Sequence, residues 1–498
     1  MTNDEFQMTN ECPSLNDEAR EPFDICHSGF IRHSSFGLSR AKIRVCTALL
    51  SSYIRVAAKK EKSNSGTAML EAGEGVIDIS PPLGIEMAGF HKPPGQERRI
   101  TGIRQPPAAR ALALRVQKVT AAIVSLDLCG IPAEFAKRVQ KRAAKLTGIP
   151  ASNIRVCATH THSMPTLRFF RQWGAAPKHY MNSVEQRAAE AVALANKDLA
   201  QADCYLGKDR VMGGNFNRTA KTWKTEDAFT KESTDADRWL DRTLHALFFL
   251  REKPKRSLLW YHFSAHPVCF TDGSAGPDWP GLVANKTDTR DGLSPSFLQG
   301  HCGDVNPGDG NPSLGDPEKV SEAVYTALHH ANNHSALVQV DSIRMVSQEI
   351  EMPLDITLLQ DELARYRKDP AQCTKGEWVD ASFAKDWFAS LSKWKPSRTH
   401  CETILSALRL GSLGLVFHPA ELYSFYGLAM RRDSPFENTL VVGYADDFVG
   451  YVTDPKALKA AEYAAVVVPK ILDLPPFKPE AASYLAAEAS KLLEKVAK

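Results

Sequence analysis

Apolar residues fall along this chain in short runs that end on polar positions, several of them histidines. Ala121-Ala122-Ile123-Val124-Ser125-Leu126-Asp127 is continuous enough to read as a buried strand. After it Phe135, Val139, Ala143 and Leu146 recur at helical spacing and Gly148 supplies a stop, which predicts a helix. Ile154-Arg155-Val156-Cys157-Ala158 is a second strand. Strand, helix, strand makes a βαβ unit, where ligands collect at the carboxyl ends of parallel strands. His160 and His162 stand there. In an extended backbone residues i and i+2 share a face, so both imidazoles can enter one pocket.

The pattern recurs. Short strands are expected from Gly75 to Pro82 and from Arg110 to Val116, and a helix over 184–200 with Ser183 placed to cap it. Gly213 and Gly214 predict a tight loop carrying Asn217 and Arg218 to a ligand. Leu258 to Ala265 reads as a strand ending in His266, and Phe297 to Gly308 as an apolar approach to a glycine-rich loop bearing His301, Asp304 and Asn306. Residues 353–400, with Trp387 and Trp394, read as a helical insertion over one face. A hairpin over Thr403–Leu410 and Leu413–Phe417 then leads to Glu421, ahead of a helical Leu422 to Met430. Leu440 to Tyr451 delivers an acidic and aromatic loop, and residues 479–498 form an Ala/Leu/Glu/Lys helix. Residues 1–70 lack periodicity and read as a mostly disordered extension. The class expected is α/β, a mixed β-sheet core flanked by helices, with its main domain over 75–475.

Composition narrows the chemistry. A chain of 498 residues, 43% hydrophobic, can bury a large core. With 61 Lys+Arg against 58 Asp+Glu there is no net field to attract a polyanion, so no nucleic-acid partner is expected. The ten cysteines include no CxxC pair, and Cys129, Cys157 and Cys269 lie in apolar runs, where cysteine serves as a small core residue. No apolar run approaches the ~18 residues of a membrane span, which leaves peripheral contact as the mode of membrane association. Residues 42–57 have basic flanks and an apolar centre broken by Ser51, Ser52 and Arg55; they read as a poor secretory segment or an amphipathic tail.

His160, His162, His266, Glu421 and Tyr451 all follow apolar strands or strand-end loops. Imidazole and carboxylate suit zinc, and a catalytic zinc keeps one position for water, whose pKa falls to about 7. Hydrolysis is the reaction class this favours. No compact zinc signature such as HExxH is present, so spacing alone does not choose the ligands.

Thr159-His160-Thr161-His162-Ser163, Ala265-His266-Pro267, Gly303-Asp304-Val305-Asn306-Pro307 and Gly450-Tyr451-Val452-Thr453 resemble, in order, landmark motifs of the neutral/alkaline non-lysosomal ceramidases. Ile77-Asp78-Ile79-Ser80-Pro81-Pro82-Leu83-Gly84 looks like that family's first strand. The resemblance covers roughly residues 75–470. It implies a zinc-dependent catalytic domain that hydrolyses an amide bond of a lipid. It further implies zinc ligands at His160, His266, Glu421 and Tyr451, with His162 facing the substrate carbonyl and Arg218 and Tyr463 in the substrate-polarising shell.

Three departures from the family pattern carry weight. The motif's serine, assigned as the nucleophile, is Asn306, whose amide nitrogen cannot serve in that role; attack is then expected from metal-activated water. The glycine after the family's His-Thr-His-Ser is Met164. The chain ends soon after the catalytic domain, so no C-terminal β-sandwich is expected. The reading is a zinc-dependent hydrolase of a small-molecule amide or lipid, with ester cleavage as a variant. Its alternative is a catalytically silent relative that binds a lipid or sugar-like ligand. Family members generally act outside the cytoplasm, so an extracytoplasmic location is the expectation.

Overall fold

The protein is described by a computed structural model covering residues 69–172, 177–369, 371, 380–391 and 397–498. The expected extension over 1–70, Trp394, and the segment 42–57 therefore lie outside the described residues, apart from Met69 and Leu70. Numbering the longer elements in chain order, β1 is Leu70–Asp78, β2 Ala108–Val116, β3 Val119–Leu126, α1 Ala133–Thr147, β4 Ile154–Ala158, α2 Lys178–Lys197 and β5 Ala200–Arg210. There follow β6 Thr243–Arg251, β7 Leu258–Phe263, α3 Trp279–Asp291, β8 Ser296–Gln299 and α4 Pro317–Asn333. The last part comprises β9 Ile343–Pro353, α5 Ile356–Lys368, α6 Ala381–Leu391, β10 His400–Leu410, β11 Leu413–Phe417, α7 Ser424–Arg432, β12 Asn438–Val442 and α8 Ala481–Ala497.

Two sheets organise these elements. The larger runs β8-β7-β6-β5-β1-β2-β3-β4, with Ala336–Leu337 added beside β5; β3/β4 and β7/β8 are parallel and the other pairings antiparallel. The smaller runs β9-β10-β11-β12, with β11 and β12 parallel. The sheet core is mixed and helix-flanked, as the sequence predicts. Each parallel pair is joined through a helix, α1, α3 or α7, and each such unit opens its carboxyl end toward the same region.

The larger sheet curls until its terminal strands meet. Ser125 Oγ donates to Phe297 O at 2.6 Å, and Gln299 Nε2 donates to Thr159 O at 3.1 Å and to Ala265 O at 3.0 Å. Strands distant in sheet order thus become neighbours, which places the residues after β4 beside those after β7. The smaller sheet closes against this junction: Tyr444 O accepts from Ala158 N at 3.0 Å, and Gly443 N donates to Gln299 O at 2.9 Å. A buried ion pair, Arg155 to Asp446 at 2.6 Å, pins the loop after β12 to β4.

Local chemistry explains the elements. The apolar run of β3 is buried from Ala121 to Leu126 because both faces of this sheet are covered. Helix α1 buries Phe135, Ala136, Val139 and Ala143, and Gly148 closes it in the left-handed region at φ 76°. Leu146, expected on that apolar stripe, is instead 55% exposed, because it lies off the buried face. Helix α2 rests directly on β1: a Cβ at Gly73 or Gly75 would stand 2.2 Å from Ala195 O or 2.1 Å from Ala191 O. This helix begins at Lys178 after Pro177, so Ser183 lies inside it and caps nothing. The hairpin of β10 and β11 forms with Leu410 opposite Leu413, as expected. Helices α5 and α6 bury Leu359, Leu363, Phe383 and Trp387, and α8 buries Leu485, Leu492, Leu493 and Val496. Among the described residues no helix is long and apolar enough to cross a membrane.

Candidate metal centre and active-site pocket

Strand β4 ends at Ala158, and His160 takes a left-handed conformation at φ 63°. The two histidines therefore meet through a turn at His160 and not through the period of an extended strand. They meet all the same: His162 Nε2 lies 3.2 Å from His160 Nε2. Gly89, at φ 94°, packs against the His162 ring so closely that a Cβ there would stand 2.2 Å from His162 Cγ. Phe90 meets the same ring edge-on at 5.2 Å.

His160 Nδ1 faces Cys129 O at 2.7 Å, and His266 Nδ1 faces Val305 O at 2.9 Å. A backbone carbonyl only accepts, so both Nδ1 atoms carry hydrogen, and each ring turns its Nε2 inward. Both Nε2 atoms lie 3.1 Å from Glu421 Oε2. Tyr451 OH is 3.4 Å from His266 Nε2. Ligand atoms on a tetrahedral zinc at about 2.0–2.1 Å stand roughly 3.3 Å apart, so His160, His266 and Glu421 fit such an ion in donor type and spacing, with the Tyr451 hydroxyl beside them. Glu421 and Tyr451 are brought together by the parallel pairing of Ala420–Leu422 with Gly450–Val452.

Electrostatics agree. Two Nε2 lone pairs against a carboxylate repel unless positive charge lies between them. With protein groups alone a proton supplies it: burial disfavours a charged His160, yet the Glu421 carboxylate outweighs burial and raises the imidazole's pKa to about 10. Burial disfavours the Glu421 carboxylate too, but His160 and His266 hold it well below the usual range. His266 falls to about 4 through burial and the Arg218 charge, and His162 is driven well below its ordinary value by burial and by His160. Burial pushes the Tyr451 phenol up, opposed by the Arg218 guanidinium.

Arg218 ties the far side of the site. It donates to Tyr451 OH at 2.6 Å, Gly303 O at 2.8 Å and Asn306 Oδ1 at 3.1 Å. Asn306 Nδ2 donates in turn to Ser313 O at 2.8 Å, so its side chain is held at both ends. Tyr463 is 48% exposed at the rim of the same pocket. That pocket, ≈ 120 Å³, has His160, His162, Arg218, Asn306, Glu421 and Tyr451 as its polar floor and Phe90, Phe170, Val268, Leu314, Phe448 and Ile471 as apolar walls. A larger cleft of ≈ 610 Å³ lies elsewhere, but charges in its walls are already paired, Arg210 with Glu226 and Arg431 with the buried Asp241 behind it. Buried titratable groups converge instead on the smaller pocket.

Three residues expected to serve the site are used by the fold. Asn217 is fully buried and donates to Asp304 Oδ2 at 2.7 Å and Trp239 O at 2.9 Å, so it does not reach a ligand. Asp304 accepts from Ser424 N and Oγ at the start of α7. His301 faces Asp241 at 3.1 Å, within the core. Two residues were missed. Tyr444 stacks on His160 with centroids 4.3 Å apart, and its hydroxyl reaches Glu421 Oε2 at 3.4 Å. Cys129, read only as a core residue, lines the pocket. Its place after Asp127, where β3 gives way to a loop, was the available signal.

Residues 70–276 match the family model described as neutral/alkaline non-lysosomal ceramidase, N-terminal. The crystal structure of neutral ceramidase from Pseudomonas aeruginosa shares the fold at a TM-score of 0.65 and 17% identity, over 86% of this chain and 75% of that one. A ceramidase complexed with C2 matches at 0.65 and 16% identity, over 86% and 76%. No curated protein sequence matches the chain. The motif resemblance and the family match thus coincide over the first part of the chain, and the likeness of fold extends beyond it.

Proposed function

We propose that this protein is a zinc-dependent hydrolase of an amide bond in an acylated, lipid-like small molecule, with His160, His266, Glu421 and Tyr451 holding the metal. The observation that carries the reading is the convergence of two imidazoles, each fixed by a backbone carbonyl, on one buried carboxylate oxygen at 3.1 Å. Zinc, when bound, supplies Lewis acidity that polarises a carbonyl and makes water nucleophilic at neutral pH.

The chain's own groups supply the rest. Asn306 has no nucleophile to offer and both ends of its amide are tied, so the attacking group is water and no acyl-enzyme forms through this residue. His162 is neutral, its Nδ1 has no hydrogen-bond partner, and it faces the pocket; with the Tyr463 hydroxyl it is placed to donate to the oxyanion of the attacked carbonyl. Arg218 holds the Tyr451 hydroxyl and offsets the negative charge that binding through that oxygen requires. The phenylalanine walls accept the apolar part of the substrate. At ≈ 120 Å³ the pocket is smaller than the roughly 300–1,000 Å³ that encloses a whole drug-sized ligand, so only the portion around the scissile bond is buried there.

Metal analysis combined with hydrolysis of an N-acyl amine panel tests this. Stoichiometric zinc and chelator-sensitive turnover are expected, with both lost in His160→Ala and His266→Ala. Full metal content in those variants removes them from the ligand set. The doubly tied Asn306 is the observation favouring a second reading, a silent protein that binds a lipid or sugar-like ligand; zinc without turnover on any amide or ester would establish it.

A further inference from the structure

His160 belongs to two ligand sets. Besides His266 and Glu421, it stands with Cys129 and His162, and the donor atoms of that second trio lie within 4.8 Å of one another, all buried. We propose that Cys129, His160 and His162 form an alternative, thiolate-bearing metal position that captures soft cations such as cadmium or copper(I) and thereby empties the first.

The geometry is specific. Cys129 Sγ approaches the His160 ring at 3.9 Å from Nδ1, and the two histidines face each other through Nε2 atoms 3.2 Å apart. The His160 backbone N–H bonds Leu128 O at 3.0 Å, which fixes the thiol-bearing loop beside the ring. His162 is 9% exposed and its Nδ1 has no partner, while Gly89 and Phe90 hold the ring with Nε2 toward His160, so it meets a cation there without breaking a bond at Nδ1. Donors at about 2.3 Å and 2.0–2.1 Å from one cation stand roughly 3.3–3.8 Å apart, so the trio, within 4.8 Å here, closes by up to about 1 Å on capture, with His160 donating through Nε2 because its Nδ1 hydrogen is held by Cys129 O.

Ligand softness sets the preference. A sulfur and two nitrogens favour thiophilic cations, whereas the two-imidazole, carboxylate and phenol set favours zinc. On capture the S–H bond breaks, its proton passes to solvent, and sulfur donates its electron pair to the metal, with no change of oxidation state. One Nε2 cannot serve both positions, so filling the thiolate set withdraws His160 from the other. Cys129 lines the pocket, which gives the cation the same approach that a substrate uses.

The test is cadmium titration of the metal-stripped full-length chain, read by thiolate-to-cadmium absorption in the ultraviolet and by chelator competition. Cys129→Ser and Cys129→Ala should each lose one thiolate's share of the band and bind cadmium more than about tenfold more weakly. Glu421→Gln should keep the band while losing zinc. In the wild type one equivalent of cadmium should release bound zinc, and in Cys129→Ala it should not. An unchanged band in both Cys129 variants, or its loss in Glu421→Gln, overturns the proposal. Retained zinc in Glu421→Gln would sink the hydrolase ligand set and leave the cadmium result standing, because the second position does not use that carboxylate.

Discussion

Tyr444 lies flat against His160, ring centroids 4.3 Å apart and planes inclined by 23°, while its hydroxyl touches Glu421 Oε2 at 3.4 Å. One residue thus positions two of the proposed metal ligands. Tyr444→Phe should weaken zinc binding about tenfold by freeing the carboxylate, and Tyr444→Ala by up to about a hundredfold, since stacking is lost as well. Chelator competition measures both; equal affinities across the three proteins would show that the stack is packing alone.

Gly89 offers a way to move His162 without touching a proposed zinc ligand. Any side chain there collides with the imidazole and must also adopt φ 94°. Gly89→Ala is expected to lower kcat by about a hundredfold, the scale of one displaced oxyanion donor, with zinc stoichiometry unchanged. Normal turnover in this variant would remove His162 from the reaction.

Asn306→Ser restores the hydroxyl found in the resembled motif. It also unties Arg218 from one of its three acceptors. If recognition of the acyl group is intact, hydrolysis of N-acyl sphingoid amines should rise. An unaltered rate would mean that the pocket walls, not the missing hydroxyl, set the substrate.

Acid stability should report on Asp241. Burial disfavours its carboxylate, but Arg431 at 2.6 Å and His301 at 3.1 Å outweigh burial and hold it far below the usual range. A depressed folded-state pKa gives stability that is present above the unfolded value of about 3.9 and lost as pH falls. Asp241→Asn should cost about 3 kcal/mol at neutral pH by leaving Arg431 without its partner. The variant should then lose less than the wild type between about pH 5 and pH 2 in urea unfolding. Parallel losses in the two proteins would contradict the assignment.

Much of this site is legible in the order of residues because ligands follow apolar strands, and β4, β7 and β11 all behave so. The pairing of His160 with His162 is right for a reason the sequence hides: a left-handed turn replaces the extended geometry. Local pattern could not reveal which polar residues the fold would consume. His301 and Asp304 sit on a loop of the kind that carries function and Asn217 ends the short strand Asn215–Asn217, yet each is committed to a partner far away in sequence. Tyr444 was unreadable for the converse reason, since its role exists only where the second sheet meets the first. Strand β9 escaped detection because its middle is half-exposed and lacks clean alternation.

The curled sheet has one more effect. His160 and His266 follow strands β4 and β7 of that sheet, while Glu421 and Tyr451 arrive on a separate short parallel pair, Ala420–Leu422 with Gly450–Val452. An ion gripped by all four would act as a clasp across a three-way seam, so withdrawing it should loosen the joint between the halves as well as silence the chemistry. A fragment stopping at residue 276 would keep both imidazoles and have nothing to fasten them to.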